Sequence, residues 1–190
     1  MTKTIFGFVL SLVLVVVVGS CGSRNSGNEP QGKVVPQPSG TTTAAGETST
    51  TAIQFTAQDP SGQPQNSSQW IGKGPVVLNF WGTWCPPCRR EIPDLVKLYA
   101  EFHPRGVEIV SLAVKDDPSD VTAYAARADM KWVMLMANDD ILRAYNVADG
   151  IPTTIFLDKD GREVTRFIGM RSYDDFKPAF EAILQGNPQQ

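Results

Sequence analysis

Pro75-Val-Val-Leu-Asn-Phe-Trp81 is apolar at every position but Asn79, and a few residues beyond it stands Cys85-Pro-Pro-Cys88. A short run of this kind, rich in β-branched and aromatic residues, reads as a central strand buried on both faces. After the cysteines, Ile92, Leu95, Leu98, Tyr99 and Phe102 recur at helical spacing, and proline suits the first helical position because no intrahelical bond is lost there. Pro93 falls inside this pattern; it is expected to kink the helix without ending it, since the periodicity continues.

The succession of strand, cysteine pair and helix start places Cys85 at or near the helix N-cap and Cys88 one turn in. Residues three apart on a helix share a side, so a small disulfide ring can close and reopen without disturbing the rest of the fold. The positive end of the helix favours a thiolate on the more exposed sulfur, expected to be Cys85. Cys85 then reads as the nucleophile that attacks a target disulfide, and Cys88 as the thiol that resolves the mixed disulfide. Two quieter readings stand beside this one. The pair could be half of a zinc site, although only His103 and Cys21 remain to complete it. It could also be a purely structural disulfide.

The remaining elements alternate. Ile53 to Thr56 and the turn Asp59-Pro60-Ser61-Gly62 suggest an N-terminal hairpin or edge element. Val107 to Val114 reads as a second central strand, Pro118 to Ala128 as a helix, Trp132 to Met136 as a strand and Asp139 to Tyr145 as a short helix. Thr153 to Leu157 and Glu163 to Phe167 form a hairpin around Lys159-Asp160-Gly161, and a helix from Tyr173 to Leu184 closes the chain. This order implies an α/β fold with a central mixed sheet and helices on both faces.

Before the folded part, Lys3 precedes an apolar stretch from Ile5 to Val18. It is shorter than the roughly 20 residues that span a bilayer and fits a signal-peptide core over residues 1–20. Val18-Gly19-Ser20-Cys21 resembles the bacterial lipobox, which makes Cys21 the expected lipidation site and the domain extracytoplasmic and membrane-tethered. An uncleaved short anchor is the alternative. Residues 21–52 are dominated by Gly, Ser, Thr, Pro, Gln and Asn; they read as a flexible tether or a tolerated low-complexity leader. The folded domain is expected over residues 53–186, with a tail at 187–190.

Of the 190 residues, 42% are hydrophobic and 19% charged, normal for a globular chain,. A net charge of -3 with scattered Lys and Arg offers no basic field for nucleic acid,. Three cysteines are too few for a disulfide-dense scaffold,. Met130, Met134 and Met136 fit core packing better than soft-metal binding, and His103 near a helix end reads as structural. No metal site and no cofactor other than the Cys85–Cys88 disulfide are expected.

The segment Asn79-Phe-Trp-Gly-Thr-Trp-Cys-Pro-Pro-Cys-Arg-Arg-Glu-Ile-Pro93 resembles the active-site segment of TlpA/ResA-type thioredoxin-like proteins, and Ile151-Pro-Thr-Thr154 their second signature. The similarity runs from about Ile53 to Gln185. It implies a thioredoxin-like fold with an N-terminal β-hairpin extension, and a cis Pro152 against the disulfide. Trp84, Pro86, Pro87, Ile151 and Thr153 are the expected substrate-facing residues. Where general thioredoxins carry a buried Asp, this chain has Asn79, which cannot exchange a proton. Glu91 matches a glutamate of the ResA-like subgroup; it is expected either to handle the Cys88 proton and raise thiol pKa values, or to be an ordinary surface glutamate early in a helix.

The resemblance also implies a reductase of protein disulfides, with the Cys-x-x-Cys-His motif of apocytochrome c as substrate class and a CcdA-type membrane thiol carrier as electron donor. A general oxidant or isomerase of secreted proteins differs from it only in redox poise and partner. A copper-binding lipoprotein using Cys85 and Cys88 lacks further ligands. Peroxiredoxins share the fold, but Leu78 and Gly82 occupy the places of their active-site Pro and Thr.

Overall fold

The computed structural model describes residues 51–147 and 150–186. The expected signal segment, Cys21, the tether up to residue 50 and the tail at 187–190 lie outside the described residues. Seven strands form one sheet: β1 (Thr56–Gln58), β2 (Pro64–Asn66), β3 (Val76–Trp81), β4 (Glu108–Val114), β5 (Val133–Ala137), β6 (Thr153–Leu157) and β7 (Glu163–Ile168). Four helices accompany them: α1 (Pro86–Phe102), α2 (Pro118–Arg127), α3 (Asp139–Ala144) and α4 (Tyr173–Gln185). The strand order is β2-β1-β5-β4-β3-β6-β7. β3, β4 and β5 run parallel, while β6, β7 and the β1–β2 hairpin run antiparallel to their neighbours.

The central position of β3 follows from its sequence, since every one of its residues is buried. Successive side chains on a strand point to opposite faces. Val77 and Trp81 accordingly join one core with Ile92, Leu95, Leu98 and Phe102 of α1 and Phe176, Phe180 and Ile183 of α4. Val76, Leu78 and Phe80 join the other, with Val110 and Leu112 of β4 and Ile141 of α3. Val121 and Ala125 place α2 on the α1 side. Helices therefore cover both faces of a mixed sheet, as the alternation of elements implies.

The N-terminal hairpin forms three residues later than its sequence suggests. Ile53 is exposed, and the hydroxyl of Ser67 takes the backbone N–H of Phe55 at 2.8 Å. Ladder pairing therefore begins only at Thr56, opposite Asn66. Elsewhere α1 passes through Pro93 without a break, and Gly161, at φ 77°, closes the β6–β7 hairpin beneath Asp158, whose carboxylate accepts the N–H groups of Asp160 and Arg162. Met130 is buried, with Met134 and Met136 packed against the same core, and Nδ1 of His103 lies 3.3 Å from the carbonyl of Val107.

Candidate active site

The junction of β3 and α1 carries the cysteines. Cys85 is the N-cap of α1 and its sulfur accepts the N–H of Cys88 at 3.3 Å. The two sulfurs are bonded at 2.08 Å, with Cα atoms 5.3 Å apart. Cys85 is 3% exposed and Cys88 fully buried, so an incoming partner meets Cys85 first. Pro86 and Pro87 have no N–H, so the N–H of Cys88 is the first-turn donor that meets the N-cap sulfur, and together with the positive helix end it stabilises a developing thiolate there,.

The peptide bond between Ile151 and Pro152 is cis, and the carbonyl oxygen of Ile151 lies 3.8 Å from Sγ of Cys85. In the disulfide this is a contact; the reduced thiol has a proton to give it. The carbonyl of Pro152 accepts the N–H of Gly169, tying the loop to the end of β7. Thr153, expected to face substrate, is instead turned inward: it is buried, and its hydroxyl donates to the carbonyl of Gly150 at 2.7 Å. Its side chain supports the Pro152 turn from within. Pro86 is exposed, with Pro87 and Ile151 half-buried.

Trp84 stands out of the surface beside the disulfide, 56% exposed, yet its indole is held. Its Nε1–H donates to the carbonyl of Val114 at 3.0 Å. The preceding Thr83 is clamped by Asp116, whose carboxylate accepts the backbone N–H at 2.5 Å and the hydroxyl at 2.7 Å. A Cβ on Gly82 would lie 2.8 Å from Nε1 of Trp84, so glycine there makes room for the indole. Trp84, Val114, Leu142, Val147 and Ile151 line a largely apolar groove of about 510 Å³ that opens beside the cysteines.

Beneath the disulfide lies a buried polar cluster. Glu91 is 1% exposed, which disposes of its reading as an ordinary surface glutamate. Its Oε1 accepts from Nδ2 of Asn79 at 3.2 Å and its Oε2 from the backbone N–H of Arg171 at 3.2 Å. Burial pushes the Glu91 carboxyl up to about 7; the two hydrogen bonds and the Arg171 guanidinium pull against that rise without cancelling it,. Asn79 is the element that a sequence view leaves isolated: it also donates to Thr154 and accepts from Ser111. Arg171 reaches Glu91 from 80 residues away, and no local pattern announces it. Among the described residues no group of three or more His, Cys, Asp or Glu is placed to hold a metal ion.

Residues 48–164 match the AhpC/TSA family model. The chain is also 37% identical over 134 residues to the thiol-disulfide oxidoreductase ResA of Geobacillus kaustophilus, covering 70% of this chain and 76% of that protein. The chain belongs to the ResA-type thiol-disulfide oxidoreductases of the AhpC/TSA family. Two solved structures carry the same likeness. A thioredoxin-family thiol:disulfide interchange protein from Chlorobium tepidum is 32% identical with a TM-score of 0.66, over 74% of this chain and 99% of that one. A secreted Mycobacterium tuberculosis disulfide oxidoreductase, described as homologous to E. coli DsbE, is 29% identical with a TM-score of 0.61, over 68% and 96%. The oxidoreductase thus has a thioredoxin-like fold, and its Cys85–Cys88 pair stands where thiol-disulfide exchange requires a redox disulfide.

Proposed function

We propose that this oxidoreductase works as a reductase outside the cytoplasm, held to a membrane by a lipid on Cys21, and returns selected protein disulfides to dithiols. Cys85 attacks the target disulfide, forming a mixed disulfide and releasing one target thiol. Cys88 then attacks Cys85, freeing the second target thiol and leaving the Cys85–Cys88 disulfide. Two electrons must come back from a membrane thiol carrier of the CcdA type. The Cys-x-x-Cys-His motif of apocytochrome c is the substrate class this reading takes, seated with its cysteine against Ile151 and Pro152 and a neighbouring side chain in the groove beside Trp84.

The observation that carries the direction is the buried Glu91 one turn beyond Cys88. A strong oxidant is one whose reduced, thiolate form is stabilised. A carboxylate buried one turn along the helix from Cys88 disfavours thiolate by like-charge repulsion; ionised, it can accept the proton that Cys88 must lose to attack, and protonated, it can return one to a departing thiolate,. The repulsion favours the disulfide as product, and hence electron donation to the substrate, while the proton transfer speeds exchange without setting its direction.

The reduction potential of the purified protein, equilibrated against glutathione or dithiothreitol, tests this. A value near that of thioredoxin, about -270 mV, supports the reductase; a value near about -120 mV makes the protein an oxidant of secreted proteins and overturns the direction.

A further inference from the structure

The hydrogen bonds beneath the disulfide continue past Glu91 and across the sheet. Nε1 of Trp132, just before β5, donates to Oγ of Ser111 at 2.8 Å. Ser111, on β4, donates its hydroxyl to Oδ1 of Asn79 at 3.2 Å. Asn79, on β3, donates Nδ2 to Oε1 of Glu91 at 3.2 Å and to Oγ1 of Thr154, on β6, at 3.1 Å. Asn79, Ser111, Thr154 and Glu91 are each no more than 1% exposed, and Trp132 only 6%. No solvent is at hand to substitute for a missing partner.

An indole nitrogen can only donate. Its bond occupies a lone pair of the Ser111 oxygen and turns the hydroxyl proton away, toward Asn79. That proton needs an acceptor, and the carbonyl side of Asn79 is the one in reach, which leaves the amino side for Glu91 and Thr154. Turned over, the amide would set an oxygen against the carboxyl, strand the Ser111 proton and leave an N–H of Asn79 unpaired. Burial makes each such orphan expensive. The donor-only group at one end thereby fixes the direction of every bond in the chain.

We propose that Ser111 and Trp132 are positioning residues of the redox site: they hold the Asn79 amide so that a hydrogen-bond donor, and not an acceptor, stands against the Glu91 carboxyl. The proposal rests on reading Glu91 as the acid that serves the Cys88 proton. The groups acting on Glu91 are Asn79 on β3 and the backbone N–H and guanidinium of Arg171 after β7, with Cys88 and Asp94 three residues before and after it on its own helix; Thr154 acts on it through Asn79. Of the two hydrogen-bond partners of the carboxyl, only Asn79 can present either polarity, so the chain from Trp132 governs the one adjustable contact,.

The test is an NMR titration of the Glu91 carboxyl in the full-length oxidised protein, with exchange of the Asn79 side-chain amide protons followed in parallel. In Ser111→Ala the observed orientation leaves Oδ1 of Asn79 unpaired, so turning the amide costs less than in the native protein and the donor to Glu91 weakens. The expected result is a proton affinity for Glu91 raised at least about threefold, half a pH unit, with faster exchange at Asn79. Ser111→Thr, which keeps a hydroxyl, restores the native midpoint. Trp132→Phe, which keeps an aromatic ring and removes only the donor, moves the midpoint the same way and carries the test should Ser111→Ala fail to fold. An unmoved Glu91 midpoint and unchanged Asn79 exchange in a folded variant overturn the proposal, as does a Ser111→Thr that behaves like Ser111→Ala. The underlying reading fails separately: thiol pKa values unchanged in Glu91→Gln sink the role of Glu91 toward the cysteines and leave the positioning chain in place.

Discussion

Asn79 donates an N–H to Oε1 of Glu91 at 3.2 Å, yet burial outweighs that bond and keeps the carboxyl pushed up to about 7 from its ordinary 4.5,. The folded protein therefore binds this proton more tightly than the unfolded chain does. Its stabilising effect is complete below the unfolded value and is lost as pH rises through the folded one. Over the window from about pH 4 to about pH 8 the loss amounts to about 3 kcal/mol. Urea denaturation of the oxidised protein across that window should show the decline, and Glu91→Gln should remove most of it. Equal pH dependence in the two proteins would exclude Glu91 as its source.

The strand before the cysteines, the helix after them and the alternation that follows are all legible in the sequence because each is a local pattern: apolar runs, helical periodicity, turn residues. The cysteine pair is legible for the same reason, its geometry being set within one helical turn. The polar cluster is not. Asn79 reads only as a blemish in an apolar strand, and its partners Ser111, Thr154 and Glu91 come from three other elements. Arg171 contributes a backbone N–H, a group every residue but proline has, so side-chain chemistry cannot foretell it. Thr153 misled for a related reason: a strand side chain beside an active-site loop can face in or out, and here Gly150 offers its hydroxyl an internal acceptor.

Phe156 sits at the centre of an aromatic cluster on the α1–α4 face of the sheet. It is fully buried and its ring meets those of Phe167, Phe176 and Phe180 at 5.3–5.8 Å. Phe156→Ala should cost about 3–5 kcal/mol, lost transfer free energy plus the cavity left behind. Arg105→Ala, which breaks a two-pronged but exposed pair with Glu181, should barely move the denaturation midpoint, since solvent screens such pairs. A reversed ranking in urea denaturation would contradict this account of what holds the domain together.

Gly82→Ala isolates the groove from the redox chemistry. The added Cβ would meet Nε1 of Trp84 at 2.8 Å, so the half-exposed indole must swing and release the Val114 carbonyl. Loss of about 1 kcal/mol of contact with a docked polypeptide corresponds to about a fivefold rise in KM. The Cys85–Cys88 reduction potential should stay at its native value, because the disulfide and Glu91 are untouched. A shifted Trp84 fluorescence with unchanged KM would mean that substrates do not use the indole.

Asp116 offers a second route to the same wall. Its carboxylate takes both the N–H and the hydroxyl of Thr83, and so anchors the loop that carries Trp84 and Cys85 to the end of β4. Asp116→Ala leaves a half-buried N–H without its acceptor, a loss typically of about 1–3 kcal/mol, and the loop should open locally. Hydrogen exchange at Thr83 and Trp84 should then speed up while exchange in β3 stays slow. Asp116→Asn, which keeps an oxygen for the N–H, should fall between the two. Because Gly82→Ala displaces the indole and Asp116→Ala frees its backbone, their effects on KM should be less than additive when combined. Strict additivity would show that the clamp on Thr83 and the seat of Trp84 act on different parts of the substrate, and would separate the loop from the groove.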